Sequence, residues 1–323
     1  MRSRYLIIGG AGFIGSHFVD RLLADPGVPP LTVYDNFCSG REWHLEQHAG
    51  SDRLRIVRAD AGDLHALAAA MRGHDVVIHL ASNADISRAA VEPTIDFAEG
   101  TVLTQNVVEA MRLTGTLRIL YASGSGIYGD LGESEAAEDH GPLEPISTYG
   151  ASKLAGEALI AAYCHMFGLT GCVFRFGNVV GPRQTHGVGF DFIRQLRRHP
   201  DRLRILGDGT QSKSYVHVDD VVSAVLLAHE RCASGLHAFN VATGDYITVR
   251  EIAELAISAA GLAACPPTLD YTGGDRGWKG DVPVVRLNTQ RIRALGWSNR
   301  MSSKAALEAS MQAMLDDEGR LWS

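Results

Sequence analysis

Apolar residues in the first half of the chain fall into two alternating patterns. Short runs rich in β-branched side chains at 5–8, 31–34, 54–57, 76–79 and 118–121 predict strands. Stretches at 14–23, 64–71 and 105–113 place apolar side chains at helical spacing. A further helix is expected over 148–165 and a further strand over 171–175. Strands that alternate with helices are joined by crossovers, so neighbouring strands run parallel with helices on the sheet's faces. The expected fold class is α/β, a Rossmann-type doubly wound parallel sheet. Beyond Gly181 the alternation weakens and turn-forming groups multiply, among them Gly181-Pro182-Arg183, Gly207-Asp208-Gly209 and Gly273-Gly274-Asp275. Residues 1–180 are therefore expected to form the wound-sheet domain and 181–323 a smaller C-terminal lobe. In such open sheets, ligands bind at the carboxyl ends of the strands.

Composition narrows the function classes. Hydrophobic residues make up 46% and charged residues 21% of 323, the balance of an ordinary globular protein. The net charge of -7, without any run of Lys or Arg, gives a nucleic-acid partner no electrostatic footprint. The apolar run at 5–8 is too short for a signal peptide or a membrane span, so a cytoplasmic location is expected. Cys38, Cys164, Cys172, Cys232 and Cys265 lack metal-ligand spacing and are read as packing residues, with no metal site expected.

The first strand runs into Gly9-Gly10-Ala11-Gly12-Phe13-Ile14-Gly15, which opens a helix. Gly9, Gly12 and Gly15 suit a tight turn, close approach of backbone to a pyrophosphate, and a helix packed hard on its strand. The amides at the helix start, around Phe13, Ile14 and Gly15, would face the phosphates. Any tight strand-to-helix turn can use such glycines. Asp35 sharpens the reading, because a carboxylate about 20 residues further on accepts hydrogen bonds from an adenosine ribose diol. Its charge repels a 2′-phosphate, which favours NAD over NADP, while Arg41 nearby keeps NADP open. Asp60 is placed to meet the adenine amino group or to cap its own loop.

Tyr149-Gly150-Ala151-Ser152-Lys153 puts a phenol and an ammonium on one face of a helix. A phenol with a free pKa of about 10 is a poor base, but a close cation favours its phenolate. It can then take a hydroxyl proton while hydride leaves the same carbon. A mere surface contact between Tyr149 and Lys153 is the alternative.

Taken together, the motifs resemble those of the extended short-chain dehydrogenase/reductases, within the NAD-dependent nucleotide-sugar epimerase/dehydratase family, and are most similar to UDP-glucose 4-epimerases. The resemblance covers nearly the whole chain. It rests on the glycine turn, Asp35-Asn36, His79-Leu80-Ala81, Tyr128-Gly129, Tyr149 with Lys153, Gly177-Asn178-Val179-Val180-Gly181-Pro182-Arg183 and Gly207-Asp208-Gly209-Thr210-Gln211. It implies bound NAD, contacted also by Asn36, Ala61, Leu80 and Ala81, with Tyr149 as general base and Lys153 on the nicotinamide ribose. It also implies a Ser or Thr hydroxyl after the fifth strand, but that position is Gly124, with Ser123 and Ser125 on either side as candidate replacements.

Dehydratases of this family carry an Asp-Glu pair in that loop, and decarboxylases usually a Glu, where this chain has Ser125 and Gly126. The resemblance therefore favours a 4-epimerase of a UDP-sugar. A 4-ketoreductase, a dehydratase or decarboxylase, and a nucleotide-sensing regulator are the alternatives. For the nucleotide end it implies Asn178 on the diphosphate and Phe190 bordering the base. Lys213 and Arg276 are the candidate phosphate cations, or else solvated loop charges, and Trp278 stands where many relatives have an arginine. Val285 falls where epimerases gate the space beside the sugar, and its size leaves room for a 2-acetamido group. Asn83 and the Asp219/Asp220 pair are read as ligand contacts or loop caps, His79 as a packed or catalytic histidine. A homodimer through the helices at 105–113 and 148–165 is expected, where Ala151, Ala155, Ala158, Ala161 and Ala162 suit close packing against a partner or against the sheet.

Overall fold

In the computed structural model, which describes residues 3–321, the predicted alternation becomes a wound sheet. Strands β1 (Tyr5–Ile8), β2 (Leu31–Asp35), β3 (Leu54–Arg58), β4 (Val76–His79) and β5 (Arg118–Gly124) alternate with helices α1 (Phe13–Leu23), α2 (Leu64–Met71) and α3 (Leu103–Thr114). Helix α4 (Thr148–Phe167) follows, and then the strand Thr170–Phe176. The seven-stranded sheet runs Leu236–Val241, Thr170–Phe176, β5, β4, β1, β2, β3. β1 pairs in parallel with β2 and β4, β2 with β3, and β4 with β5. Every residue of β1, β2 and β4 is buried, as expected for inner parallel strands covered on both faces. The strand Leu236–Val241 lies in the part of the chain where the pattern weakens. Its polar residues His237 and Asn240 break the apolar run that marks the inner strands.

Strand order reverses at β1, whose neighbours β2 and β4 leave in opposite directions. This is the switch point at which open sheets hold ligands. Ile8 is level with Tyr34 and with His79, so Gly9, Asp35 and Leu80 all emerge at the same carboxyl edge. Beneath it, Leu6, Ile8, Tyr34, Val77 and Ile119 pack with Leu67, Met71, Val107 and Met111 of α2 and α3.

Two compact units make up the chain. The first comprises residues through Gly124, Thr148–Arg175 and Val222–Phe239; the second comprises Ser125–Ser147, Phe176–Val221 and the chain from Asn240 onward. In the second unit, helices Val188–Arg198, Val249–Ala259 and Ser303–Asp316 enclose their own core, including Ile193, Leu196, Leu203, Ile205, Ile252, Leu307 and Met311. The helix at 249–259 starts with a capping box, Thr248 accepting from the Glu251 amide while the Glu251 carboxylate accepts from the Thr248 amide. Among the described residues, no helix is long and apolar enough to cross a membrane.

Candidate active site

The turn after β1 forms a cradle that only glycine can line. Gly9 has φ +82°, and a Cβ there would stand 2.8 Å from the Ala81 amide nitrogen. A Cβ on Gly15 would overlap the Gly9 carbonyl oxygen, so α1 and the turn touch backbone to backbone. Gly12 caps α1 without a side chain, and the first turn holds no acid. Among the described residues no side-chain cap and no first-turn acid competes for the amides near Phe13, Ile14 and Gly15, and the positive end of the helix faces the turn. These residues fit the pyrophosphate of a dinucleotide. Replacing Gly15 with alanine forces the helix off the turn. With overpacking at about 1–3 kcal/mol, NAD affinity is expected to fall about tenfold to a hundredfold, measured by calorimetric titration; unchanged affinity would separate the cradle from the cofactor.

Asp35 closes the carboxyl end of β2. Its Oδ2 accepts from the Ala11 amide at 2.9 Å and its Oδ1 from the Phe37 amide at 2.8 Å, which ties it to the glycine turn. Each oxygen keeps a lone pair for a diol. Burial raises the Asp35 pKa, against the pull of both amides and of Arg58. The cation acting on Asp35 is Arg58, whose guanidinium covers the Phe37 ring at 4.0 Å and pairs with Glu42. Arg41, the cation read from the sequence, is exposed and contributes its backbone amide to Ala11. Asn36 and Asp60 are brought together, Asn36 Nδ2 donating to Asp60 Oδ2 at 2.7 Å, while Asp60 Oδ1 accepts from the Gly62 amide. Asp60 is therefore a loop cap whatever else it touches. Ala61 is buried beside it, and Leu80 continues the ladder by donating to the Ile8 carbonyl.

Helix α4 is pressed against β5 at Gly156, where a Cβ would overlap the Tyr121 hydroxyl. That approach brings Tyr149 and Lys153 to the end of β5. Lys153 is buried, donates to the Ala122 carbonyl at 2.8 Å, and holds its ammonium 5.5 Å from the centre of the Tyr149 ring. Burial lowers the Lys153 pKa to about 8, against the opposing charges of Asp96 and Glu157. Burial raises the Tyr149 pKa to about 12; a hydrogen bond from Ser82 acts in the other direction. Neither Ser82 nor Asp96 stands out in the sequence, because both act through residues more than 50 positions away.

A Cβ built on Gly124 would lie 3.9 Å from Tyr149 Cε1, so this position faces the ring without contributing a hydroxyl. Ser123 precedes it on the strand and is buried. The Ser123 Oγ is buried with no hydrogen-bond partner among the described residues. Ser125 begins a 3₁₀ turn in the second unit. Asn83 turns inward, donating to the Asp85 carbonyl at 2.9 Å and to Asp96 Oδ1 at 2.8 Å, and so braces its own loop.

His79 is fully buried, with Nε2 on Thr104 Oγ1 at 3.1 Å and the ring 5.4 Å from Tyr121. Burial, helped by the charge on Lys153, lowers its pKa from 6.5 to about 3. The unfolded chain takes up a proton as pH falls past 6.5 and the folded chain does not, so stability from the neutral ring is complete above that pH and declines as pH falls toward 3. In urea unfolding between pH 6 and 4, the native protein is expected to lose about 1.4 kcal/mol per pH unit more than His79→Asn. Equal slopes would mean that His79 ionises alike in both states.

In the second unit, Lys213 and Arg276 converge on Asp281. Lys213 Nζ pairs with Asp281 Oδ1 at 2.6 Å, and Arg276 donates to the Asp281 carbonyl at 2.6 Å and pairs with Asp130 at 2.5 Å. These are ion-paired, partly buried cations rather than solvated charges. Asn178 is exposed on a short strand beside Tyr215, and Phe190 is buried in the first turn of the helix Val188–Arg198. Asp220 is buried and accepts from the Arg300 amide, which makes it a cap.

Residues 5–242 match the family model described as NAD dependent epimerase/dehydratase family. The chain is 36% identical over 307 residues to a UDP-glucose 4-epimerase from Mycolicibacterium smegmatis, covering 93% of this chain and 94% of that protein. It resembles the crystal structure of Thermus thermophilus UDP-glucose 4-epimerase in complex with NAD, with a TM-score of 0.84, 32% identity, and coverage of 97% and 99%. It also resembles a dTDP-glucose 4,6-dehydratase from Streptomyces venezuelae with NAD bound, with a TM-score of 0.89, 28% identity, and 98% of each chain covered. With the glycine cradle, Asp35 and the Tyr149–Lys153 pair in place, the chain belongs to the NAD-dependent epimerase/dehydratase family of nucleotide-sugar enzymes, and its cofactor is NAD.

Proposed function

We propose that this enzyme is a 4-epimerase of a nucleotide-linked sugar, either UDP-glucose and UDP-galactose or a uronate or N-acetyl relative. One observation carries the reading: Gly124-Ser125-Gly126, where β5 ends and the next turn begins, offers no side chain that titrates. Removing water from a sugar needs an acid and a base beyond the group that handles the C4 hydroxyl. Epimerisation needs only that one group and a hydride acceptor that returns what it takes. NAD supplies the hydride chemistry when bound. Tyr149 takes the proton of the 4-hydroxyl and gives it back, while Lys153 favours the phenolate by its charge and has donors left for a ribose hydroxyl.

The first unit, in this reading, holds NAD through Gly9, Gly12, Gly15 and Asp35, and the second mainly holds the sugar nucleotide through Asn178, Phe190, Lys213 and Arg276. The protein works in the cytoplasm as a homodimer. Exposed Leu113, Ala151, Ala158, Ala162 and Phe167 on α3 and α4 support a partner-facing surface. A 4,6-dehydratase is the second reading, favoured by the likeness to the Streptomyces venezuelae enzyme.

Incubation of purified enzyme with UDP-glucose, UDP-glucuronate and UDP-N-acetylglucosamine, without added cofactor, tests the proposal. A 4-epimer is expected, and denaturation is expected to release NAD. Val285 beside the sugar extends the expectation to the N-acetyl substrate. A 4-keto-6-deoxy product, or stoichiometric consumption of a reduced nicotinamide, would replace the epimerase reading.

A further inference from the structure

A proton-transferring phenol needs its oxygen held in one place and its anion stabilised. On β5, Gly124 faces the Tyr149 ring and carries no hydroxyl, and the Ser123 Oγ has no hydrogen-bond partner among the described residues. The hydroxyl that bonds the phenol comes from Ser82, in the loop after β4.

That loop is fastened to the start of α4. Asn83 Nδ2 donates to Asp96 Oδ1 at 2.8 Å, and Thr148 Oγ1 donates to Asp96 Oδ2 at 2.7 Å. Asn83 Oδ1 also accepts from the Asp85 amide at 3.0 Å, so both ends of its amide are used. Asn83 and Asp96 are both buried. Ser82 precedes Asn83 and Thr148 precedes Tyr149, so one carboxylate holds the immediate neighbours of both partners. Ser82 and Tyr149 are thereby each one residue from a side chain fixed on Asp96.

We propose that Ser82 is the positioning residue of the proton-transfer site, its hydroxyl donating to the Tyr149 oxygen, aiming the phenol and stabilising its anion, with Asn83, Asp96 and Thr148 holding the two in register. The inference rests on Tyr149 being the base. A hydrogen bond donated to an oxyanion is shorter and stronger than one donated to the neutral phenol, so it favours the ionised form. No bond to Ser82 is made or broken, and the substrate proton ends on the Tyr149 oxygen. The other charged or titratable groups about the phenol are Lys153 on α4, Tyr121 on β5 and Asp96 ahead of α3.

The test uses NAD-loaded enzyme with tyrosine labelled at Cζ, and the Tyr149 resonance assigned by its loss in Tyr149→Phe. Its ionisation midpoint is followed against pH in the native protein, Ser82→Ala and Ser82→Thr. Ser82→Ala is expected to raise the midpoint by about one pH unit or more, which lowers the phenolate fraction at neutral pH about tenfold. Turnover should fall by a similar factor at unchanged KM, and Ser82→Thr should restore both. A midpoint equal in the native protein and Ser82→Ala, including failure of either to ionise before unfolding, would overturn the proposal, as would Ser82→Thr behaving like Ser82→Ala. The resonance is read without a sugar substrate. A shifted midpoint in a protein that epimerises nothing would therefore remove the proposed reaction alone, and normal epimerisation with an unmoved midpoint would remove Ser82 alone.

Discussion

Tyr149→Phe is expected to lower kcat by about a thousandfold, within the range of about 10²–10⁴ that a positioned acid or base contributes, while NAD content stays unchanged. The substitution removes one oxygen and leaves the ring packed beside Lys153, whose ammonium lies 5.5 Å from the ring centre and is anchored on the Ala122 carbonyl. The glycine turn and Asp35, proposed to hold the dinucleotide, lie on β1, β2 and α1 and are untouched by the change. Loss of turnover with retained cofactor therefore isolates proton transfer. The check is kcat with the best substrate of the three, alongside the cofactor released on denaturation. Retention of more than about a tenth of the activity would mean that another group moves the proton.

The largest effect on stability is expected at Arg175. This residue lies on the strand beside β5 and pairs with Glu157 on α4, with Nη2 to Oε2 at 2.8 Å and Nε to Oε1 at 3.1 Å. Both side chains are buried. Glu157 sits one turn beyond Lys153 and supports its charge. Arg175→Met strands a buried carboxylate, for which a loss of about 3–5 kcal/mol is expected in urea unfolding. The double variant Arg175→Met/Glu157→Leu should recover most of that, because two well-packed apolar groups need no compensation. A single variant that loses less than about 1 kcal/mol would show that water or another cation reaches Glu157.

Local spacing made much of this molecule legible. The strand-helix alternation, the glycine turn, Asp35 at the end of β2 and the pairing of Tyr149 with Lys153 all depend on residues within a few positions of each other or on one repeated unit. The strand Leu236–Val241 escaped because His237 and Asn240 interrupt its apolar pattern and its place in the sheet depends on a neighbour some 60 residues earlier. Lys213 and Arg276 read as phosphate cations or as loop charges, and only the fold set both on Asp281. Arg41 stood nearer to Asp35 in sequence than Arg58 does, yet parallel pairing puts Asp35 level with Arg58.

The sequence by itself determined the wound sheet, the glycine turn and the phenol-ammonium pair, because short-range geometry and the alternation of apolar side chains dictate them. Only the tertiary structure decided which hydroxyl meets the phenol, which carboxylate faces Arg175, and what holds each loop cation. Those partners are separated by tens of residues, and burial allows such groups to persist only where a distant segment arrives to satisfy them.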